Sequence, residues 1–525
     1  MTVQTAQILI AGQWRDSAGS ETFRAFDPVT GNATGDAFPV SPAVELETAV
    51  IAAVAAAPAL AALAPETIAG FLESYAAGIE ADIEALAALA SSETALPITP
   101  RLVGNELPRT VLQLRQAAIA VRARSWTQPV IDTAAGLRSA LGPLGKPVLV
   151  FGPNNFPFAY NAIAGSDFAS AIAARNPVIA KAHPGYPGSS RALARIAHRA
   201  AQDAGLPQGS VQMLYQFDKE DGLALAGDAR IGAIGFTGSR AAGLALKAAA
   251  DRVGTPFFGE LSAINPVVIL PGALAERGMT LAQEYVGSCL LGSGQFCTNP
   301  GLVIVPEGDT GDAFVAAAAE LFSSAAPAVV FSEGVLAGLD HGVATLRTAG
   351  ARVIAGTAQR VTPGFRFVPT LLQVDAASFL RAPQALQTEA FGPVGLLVRS
   401  PDEATTRVIL GTLEGSLTGA VYAGEGDAES AARLAAILRL RVGRLIHNRM
   451  PTGVAVSAAM NHGGPYPSTT APGFSAVGMP GAIRRFAALY CYDHNPAAWL
   501  PAELADANPH KVWRMVDGAP TQGPL

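Results

Sequence analysis

A chain of 525 residues, half of them hydrophobic and 15% charged, is long enough for more than one core and too apolar to be intrinsically disordered. A formal net charge of -6 without any block of Lys or Arg excludes a general affinity for phosphate backbones, so no nucleic-acid partner is expected. Cys289, Cys297 and Cys491 offer neither a disulfide framework nor a paired metal spacing; no metal centre is expected, and a reactive thiol becomes the alternative.

The opening MTVQTAQILI lacks a basic leader before its short apolar stretch, and no run reads as approaching the roughly 20 apolar residues of a bilayer span. The expectation is a soluble, cytoplasmic protein with no membrane partner. From Glu45 to about Ser92, Phe71, Leu72, Tyr75, Ile79, Ile83 and Leu86 recur at helical spacing and predict two or more packed helices. NELPRTVLQLRQAAIAVRAR predicts another. From Val148 the texture changes. PVLVFGPNN, NPVIAKAHPG, VQMLYQ, IGAIGFTGS and NPVVILPG are β-type runs separated by helical ones, the pattern of βαβ units in a mostly parallel, doubly wound sheet. GLVIVPEG, APAVVFSE, ARVIAGTA, VGLLVRS and TGAVYAG give the second half a sheet of its own, with a boundary near Phe258.

Four segments carry chemistry. FGPNNFPFAY ends a strand in Asn154, Asn155 and Phe156; paired amides here are turn formers or donors to a developing oxyanion. IGAIGFTGSRAAG places Gly235, Thr237, Gly238, Ser239 and Gly243 at a strand-to-helix turn, where backbone N–H groups and the helix dipole can approach a pyrophosphate, although the spacing is not GxGxxG. GELSAINPV sets Glu260 at a strand end, as a turn cap or a general base for water. GSGQFCTNPG packages Cys297 among glycines that allow close ligand approach; a lone cysteine is more often a small core hydrophobe.

Together and in this order, these segments resemble the aldehyde dehydrogenase superfamily, and EAFGPV resembles its ExFGP motif. The resemblance covers nearly the whole chain. It implies Cys297 as nucleophile, Glu260 as base for the hydrolytic water, and Asn155 as oxyanion donor beside the Cys297 backbone N–H. It implies Lys181 on the adenosine ribose, Ser239 on pyrophosphate, Glu389 on the nicotinamide ribose and Phe391 beside the nicotinamide. Phe156 and Thr298, next to Asn155 and Cys297, are expected to contact substrate. The thiolate is expected to be favoured by a local positive potential.

GELSAINP and PNNFP depart from the family's common GELGGKSP and PWNFP. The stretch MPTGVAVSAAMNHGGPYPSTT with GAIRRFAAL resembles the branch of α-ketoglutaric semialdehyde (2,5-dioxovalerate) dehydrogenases, and NADP-dependent fatty aldehyde dehydrogenases are similar as well. Where NAD-preferring relatives carry a Glu three residues after the lysine, this chain has Pro184, so NADP is expected to be used well, with NAD possible; Lys181, with His183 or Lys219 near, would attract the 2′-phosphate. An anionic aldehyde needs a cation in its tunnel, for which Arg109 and Arg115 on the LPRTVLQLR helix are candidates. His462, with no partner near in sequence, reads as structural.

The implied architecture has three parts: a dinucleotide-binding domain (1–125 and 146–258), a catalytic domain (259–480) and a small β oligomerisation element with the C-terminal tail (126–145 and 481–525). The last would use a strand within AALYCYDHNP, making a homodimer or homotetramer. Two other readings remain at this stage. One is an acylating reductase of the same fold, which Glu260 argues against; the other is a binding protein that has lost turnover.

Overall fold

The computed structural model describes residues 5–525. The first of two seven-stranded sheets runs, in spatial order, Phe257–Glu260, Ala233–Thr237, Val148–Phe151, Val178–Lys181, Val211–Leu214, Ile8–Ile10 and Gln13–Arg15. The first five strands are parallel and the last two are added antiparallel at the edge. The parallel strands Val148–Phe151, Val178–Lys181 and Ala233–Thr237 are short, β-branched or apolar, and nearly all buried, as strands with helices on both faces must be. The parallel part of the sheet starts in the middle, at Val148, winds outward to one side, then returns to the other side at Ala233. This reversal opens a crevice beyond the carboxyl ends of Val148–Phe151 and Ala233–Thr237, the place where open α/β sheets bind ligands.

The second sheet runs Arg352–Ala355, Thr370–Asp375, Val394–Ser400, Leu302–Pro306, Val267–Ile269, Ser416–Tyr422 and Val442–His447, parallel except at its first strand. One apolar cluster forms the core of the first sheet and two others lie against the second. The strand Phe257–Glu260 pairs within the first sheet, so that sheet continues past Phe258 and delivers Glu260 into the cleft.

A third sheet has the order Ala487–Asp493, Leu137–Pro143, Val130–Asp132, Arg514–Val516 and Ala519–Thr521. The strand expected in AALYCYDHNP is Ala487–Asp493; the two strands after it, from the tail, have no period-2 run long enough to announce them. One correction concerns apolar length. The helix Ala43–Ala62 is long and apolar enough to cross a membrane by composition, contrary to the reading that no such run exists. Its alanines account for this, and Leu46, Ala49, Val50, Ala53 and Leu60 pack into the first core.

Candidate active site

The turn after Val148–Phe151 is fixed from below by a buried ion pair. The Glu106 carboxylate accepts from the backbone N–H of Phe158 at 2.9 Å and pairs with Arg101 at 3.2 Å; Arg101 also donates to the Asn155 carbonyl at 2.9 Å. Burial pushes the Glu106 carboxyl up, and the Arg101 charge opposes the shift. Asn155 is thereby held with its side-chain N–H donating to the Gln295 carbonyl at 2.9 Å, two residues before Cys297. Its other amide hydrogen is left for an oxyanion.

Cys297 sits on a loop lashed down by two asparagines. Asn265 donates to the carbonyls of Cys297 and Asn299 at 2.8 and 2.9 Å, and Asn299 donates to those of Cys289 and Gly294 at 3.0 and 2.7 Å. Gly294 has φ +72°, and a Cβ there would lie 2.0 Å from the Gly392 carbonyl, so only glycine lets this loop seat against the FGP segment.

Sγ of Cys297 is 3.2 Å from Nε2 of His462, and the same nitrogen is 3.0 Å from Oε1 of Glu260. The reading of His462 as merely structural is therefore corrected: the fold supplies the partners that the local sequence lacks. The expected positive potential around the thiol is corrected too. Burial, then the charges of Glu260 and Glu389, push the Cys297 thiol well above its usual range, and Arg109 only partly offsets them. At neutral pH the sulfur carries its proton until a base removes it, and His462 Nε2 and the Glu260 carboxylate are both within reach.

A cavity of about 640 Å³ runs from Cys297, Glu260 and Asn155 past Thr237, Gly238, Ser239, Glu389 and Phe391 to Lys181, His183 and Pro184. Ser239 caps the helix Arg240–Asp251, its hydroxyl accepting from the Ala242 N–H at 3.4 Å, so that helix N-terminus faces the cavity. Lys181 makes no ion pair among the described residues, and burial pushes its ammonium down to about 8. Glu389 is pushed up to about 7 by burial, against the pull of bonds from Ser262 and Ala263. An unpaired buried ammonium, a helix N-terminus and a buried carboxylate along one channel are the donor and acceptor set that a pyridine dinucleotide requires.

Other expected residues lie elsewhere. Gly235 and Gly243 do not line the cavity: added Cβ atoms would meet Asp167 Oδ2 at 2.7 Å and Leu261 Cδ2 at 2.3 Å, so their smallness serves packing. His183 accepts from the Gly185 N–H at 3.0 Å and is pushed down to about 3 by burial and by Lys181, which makes it neutral rather than a cation for phosphate. Lys219 is exposed at the start of the helix Lys219–Ala226 and off the cavity. Arg115 is 47% exposed and paired with Glu80, away from any tunnel. The Thr298 hydroxyl accepts from the Gly453 N–H at 3.1 Å, anchoring a loop. Phe156 is buried between Phe296 and Tyr160, with Arg101 4.4 Å above its ring.

Residues 14–475 match the sequence model of the aldehyde dehydrogenase family. The chain belongs to this family. It is 38% identical to α-ketoglutaric semialdehyde dehydrogenase 2 of Azospirillum brasilense over 98% of its own length and 99% of the relative's. To α-ketoglutaric semialdehyde dehydrogenase of Acinetobacter baylyi it is 35% identical, covering 99% and 100%. The fold is similar to that of an aldehyde dehydrogenase from Bartonella henselae, with TM-score 0.79, 20% identity and coverage of 94% and 100%. It is also similar to PnpE in complex with nicotinamide adenine dinucleotide, with TM-score 0.78, 23% identity and coverage of 94% and 98%.

As an aldehyde dehydrogenase, the protein is an NAD(P)-dependent oxidoreductase that oxidises aldehydes. Sγ, Nε2 of His462 and the Glu260 carboxylate meet at one point, so His462 and Glu260 are the groups placed to receive the thiol proton if Sγ adds to an aldehyde carbon. The second amide hydrogen of Asn155 is placed to donate to an oxyanion formed beside Sγ. A nicotinamide held along the cavity by Ser239, Glu389 and Lys181 would supply the hydride acceptor. Glu260, lining the same cavity, is placed to take a proton from a water that attacks an acyl group on Cys297.

Proposed function

We propose that this enzyme oxidises 2,5-dioxovalerate to 2-oxoglutarate with NADP⁺ as its preferred acceptor. The Cys297–His462–Glu260 contact at the floor of the cavity carries the reaction, because it joins nucleophile, proton acceptor and hydrolytic base within two short steps. The substrate is supported by two relatives of that name, each matched over nearly its full length. The cofactor is supported by charge. The carboxylates lining the cavity are Glu260 and Glu389, which belong to the reacting end; Pro184 follows Lys181 in place of an acid, and nothing there repels a 2′-phosphate.

A panel of 2,5-dioxovalerate, succinic semialdehyde and medium-chain aldehydes, each with NADP⁺ and NAD⁺, tests both parts. Expected is the highest kcat/KM on 2,5-dioxovalerate, free acid as product without CoA, and NADP⁺ favoured about tenfold, the scale of one lost charge repulsion of roughly 1.4 kcal/mol. A large preference for NAD⁺ rejects the cofactor; a preference for long-chain aldehydes rejects the substrate.

We also infer a homodimer or homotetramer. The strand Ala487–Asp493 pairs on one side only and exposes Leu489 at 69% and Tyr490 at 41%, an open edge that a second copy would cover. Light scattering should give the mass of two or four chains, falling toward one in Leu489→Asp. The three free cysteines suit a reducing compartment such as the cytoplasm.

A further inference from the structure

Arg109 and Arg444 are charged groups to which the reaction, as derived, gives no work. Arg109 lies on the helix Leu107–Ala123 and Arg444 on the strand Val442–His447 of the second sheet, yet both reach one loop. Arg109 Nη1 donates to the Val454 carbonyl at 2.9 Å; Arg444 Nη1 and Nη2 donate to those of Gly453 and Pro451 at 2.9 and 2.6 Å. The loop adjoins the nucleophile, because the Gly453 N–H donates to the hydroxyl of Thr298, the residue after Cys297. Arg109 Nη2 also donates to the Tyr160 hydroxyl at 2.7 Å, and the Tyr160 ring packs 6.0 Å from that of His462.

Neither guanidinium has a carboxylate within ion-pair distance among the described residues, whereas Arg101, Arg240 and Arg485 are paired with Glu106, Glu414 and Asp167. In both, Nε is buried without a hydrogen-bond partner. Carbonyl oxygens satisfy part of a guanidinium's hydrogen bonding but do not neutralise it. Two half-buried like charges on adjacent carbonyls, each with an idle donor, are costly unless an anion arrives between them. Both charges act at the site: Arg109 pulls the Cys297 thiol down, and Arg444, itself pushed down by burial, interacts with that sulfur.

We propose that Arg109 and Arg444 form a subsite for a carboxylate at the far end of the substrate, which makes this enzyme selective for short oxo-acids. The inference rests on the aldehyde-oxidation reading and deepens it by assigning the residues that choose the substrate class. Each guanidinium offers its free Nε–H, and the anion supplies the missing counter-charge. The pairing is invisible in the chain, where the two arginines are 335 positions apart.

The test compares succinic semialdehyde with butanal, which puts a methyl in place of the carboxylate, at saturating cofactor. In Arg109→Gln and in Arg444→Gln, the ratio of kcat/KM for succinic semialdehyde to that for butanal is expected to fall at least about tenfold, mostly through the KM of the semialdehyde. Arg115→Gln should change neither, and Arg109→Lys should recover part of the loss. A parallel fall for both aldehydes, or no fall for either, overturns the subsite. A measurement that needs no variant uses the wild-type enzyme: glutarate should compete with succinic semialdehyde at least about tenfold more tightly than pentanoate, and equal inhibition also overturns it. A wild-type enzyme that oxidises neither aldehyde overturns the underlying reading instead.

Discussion

Cys297→Ala is expected to abolish turnover, with at least about a 10⁴-fold loss in kcat, while leaving the fold and dinucleotide binding intact. No other sulfur can take over. Cys289 is fully buried and its Sγ faces the Val394 carbonyl, and Cys491 is on the exposed third sheet. The removed atom belongs to none of the three apolar clusters, so the melting temperature should hardly move. The wild-type pH dependence follows from the sign of the thiol shift. Burial and two carboxylates favour the protonated form, so alkylation of the free enzyme by iodoacetamide should be slow at neutral pH and keep rising through the ordinary thiol range. Stopped-flow absorbance and a thermal melt check the variant. Residual turnover within about tenfold of wild type would dismiss Cys297 as the nucleophile.

The residues that could be read from the chain are those whose chemistry is packaged in one short segment. FGPNNF, FTGS, GEL and the Cys297 loop each bring their own turn-forming neighbours, and each lines the cavity where strand order reverses. His462 could not be read this way, since Cys297 is 165 positions away and only the pairing of Thr469, just after the HGGPYP loop, with Glu260 brings them together. Arg115 could have been rejected from the sequence. Six residues at 3.6 per turn rotate it by about 240° from Arg109, so one helix cannot aim both into the same tunnel. Gly235 and Gly243 show the opposite error, in which a motif position is assigned to the ligand although its smallness serves a neighbouring side chain. Arg444 carries no local signal at all; its meaning comes from the absence of a counter-ion, which is a property of the fold.

Glu260→Gln should separate the two halves of the reaction. The substitution keeps the size of the side chain beside His462 but removes the group that can hold a proton from water. His462 touches Sγ directly at 3.2 Å and can accept the thiol proton without Glu260. Addition and hydride transfer therefore continue, and the thioester accumulates. The expected trace is a burst of about one reduced cofactor per active site followed by a steady rate lowered about 10²–10⁴-fold, with hydroxylamine trapping the acyl group on Cys297. His462→Gln should instead slow the burst itself. If Glu260→Gln loses the burst as well, the proton must travel from sulfur through Nε2 to the carboxylate before the first bond forms. The contact between the two side chains would then act in acylation, and hydrolysis would need another base.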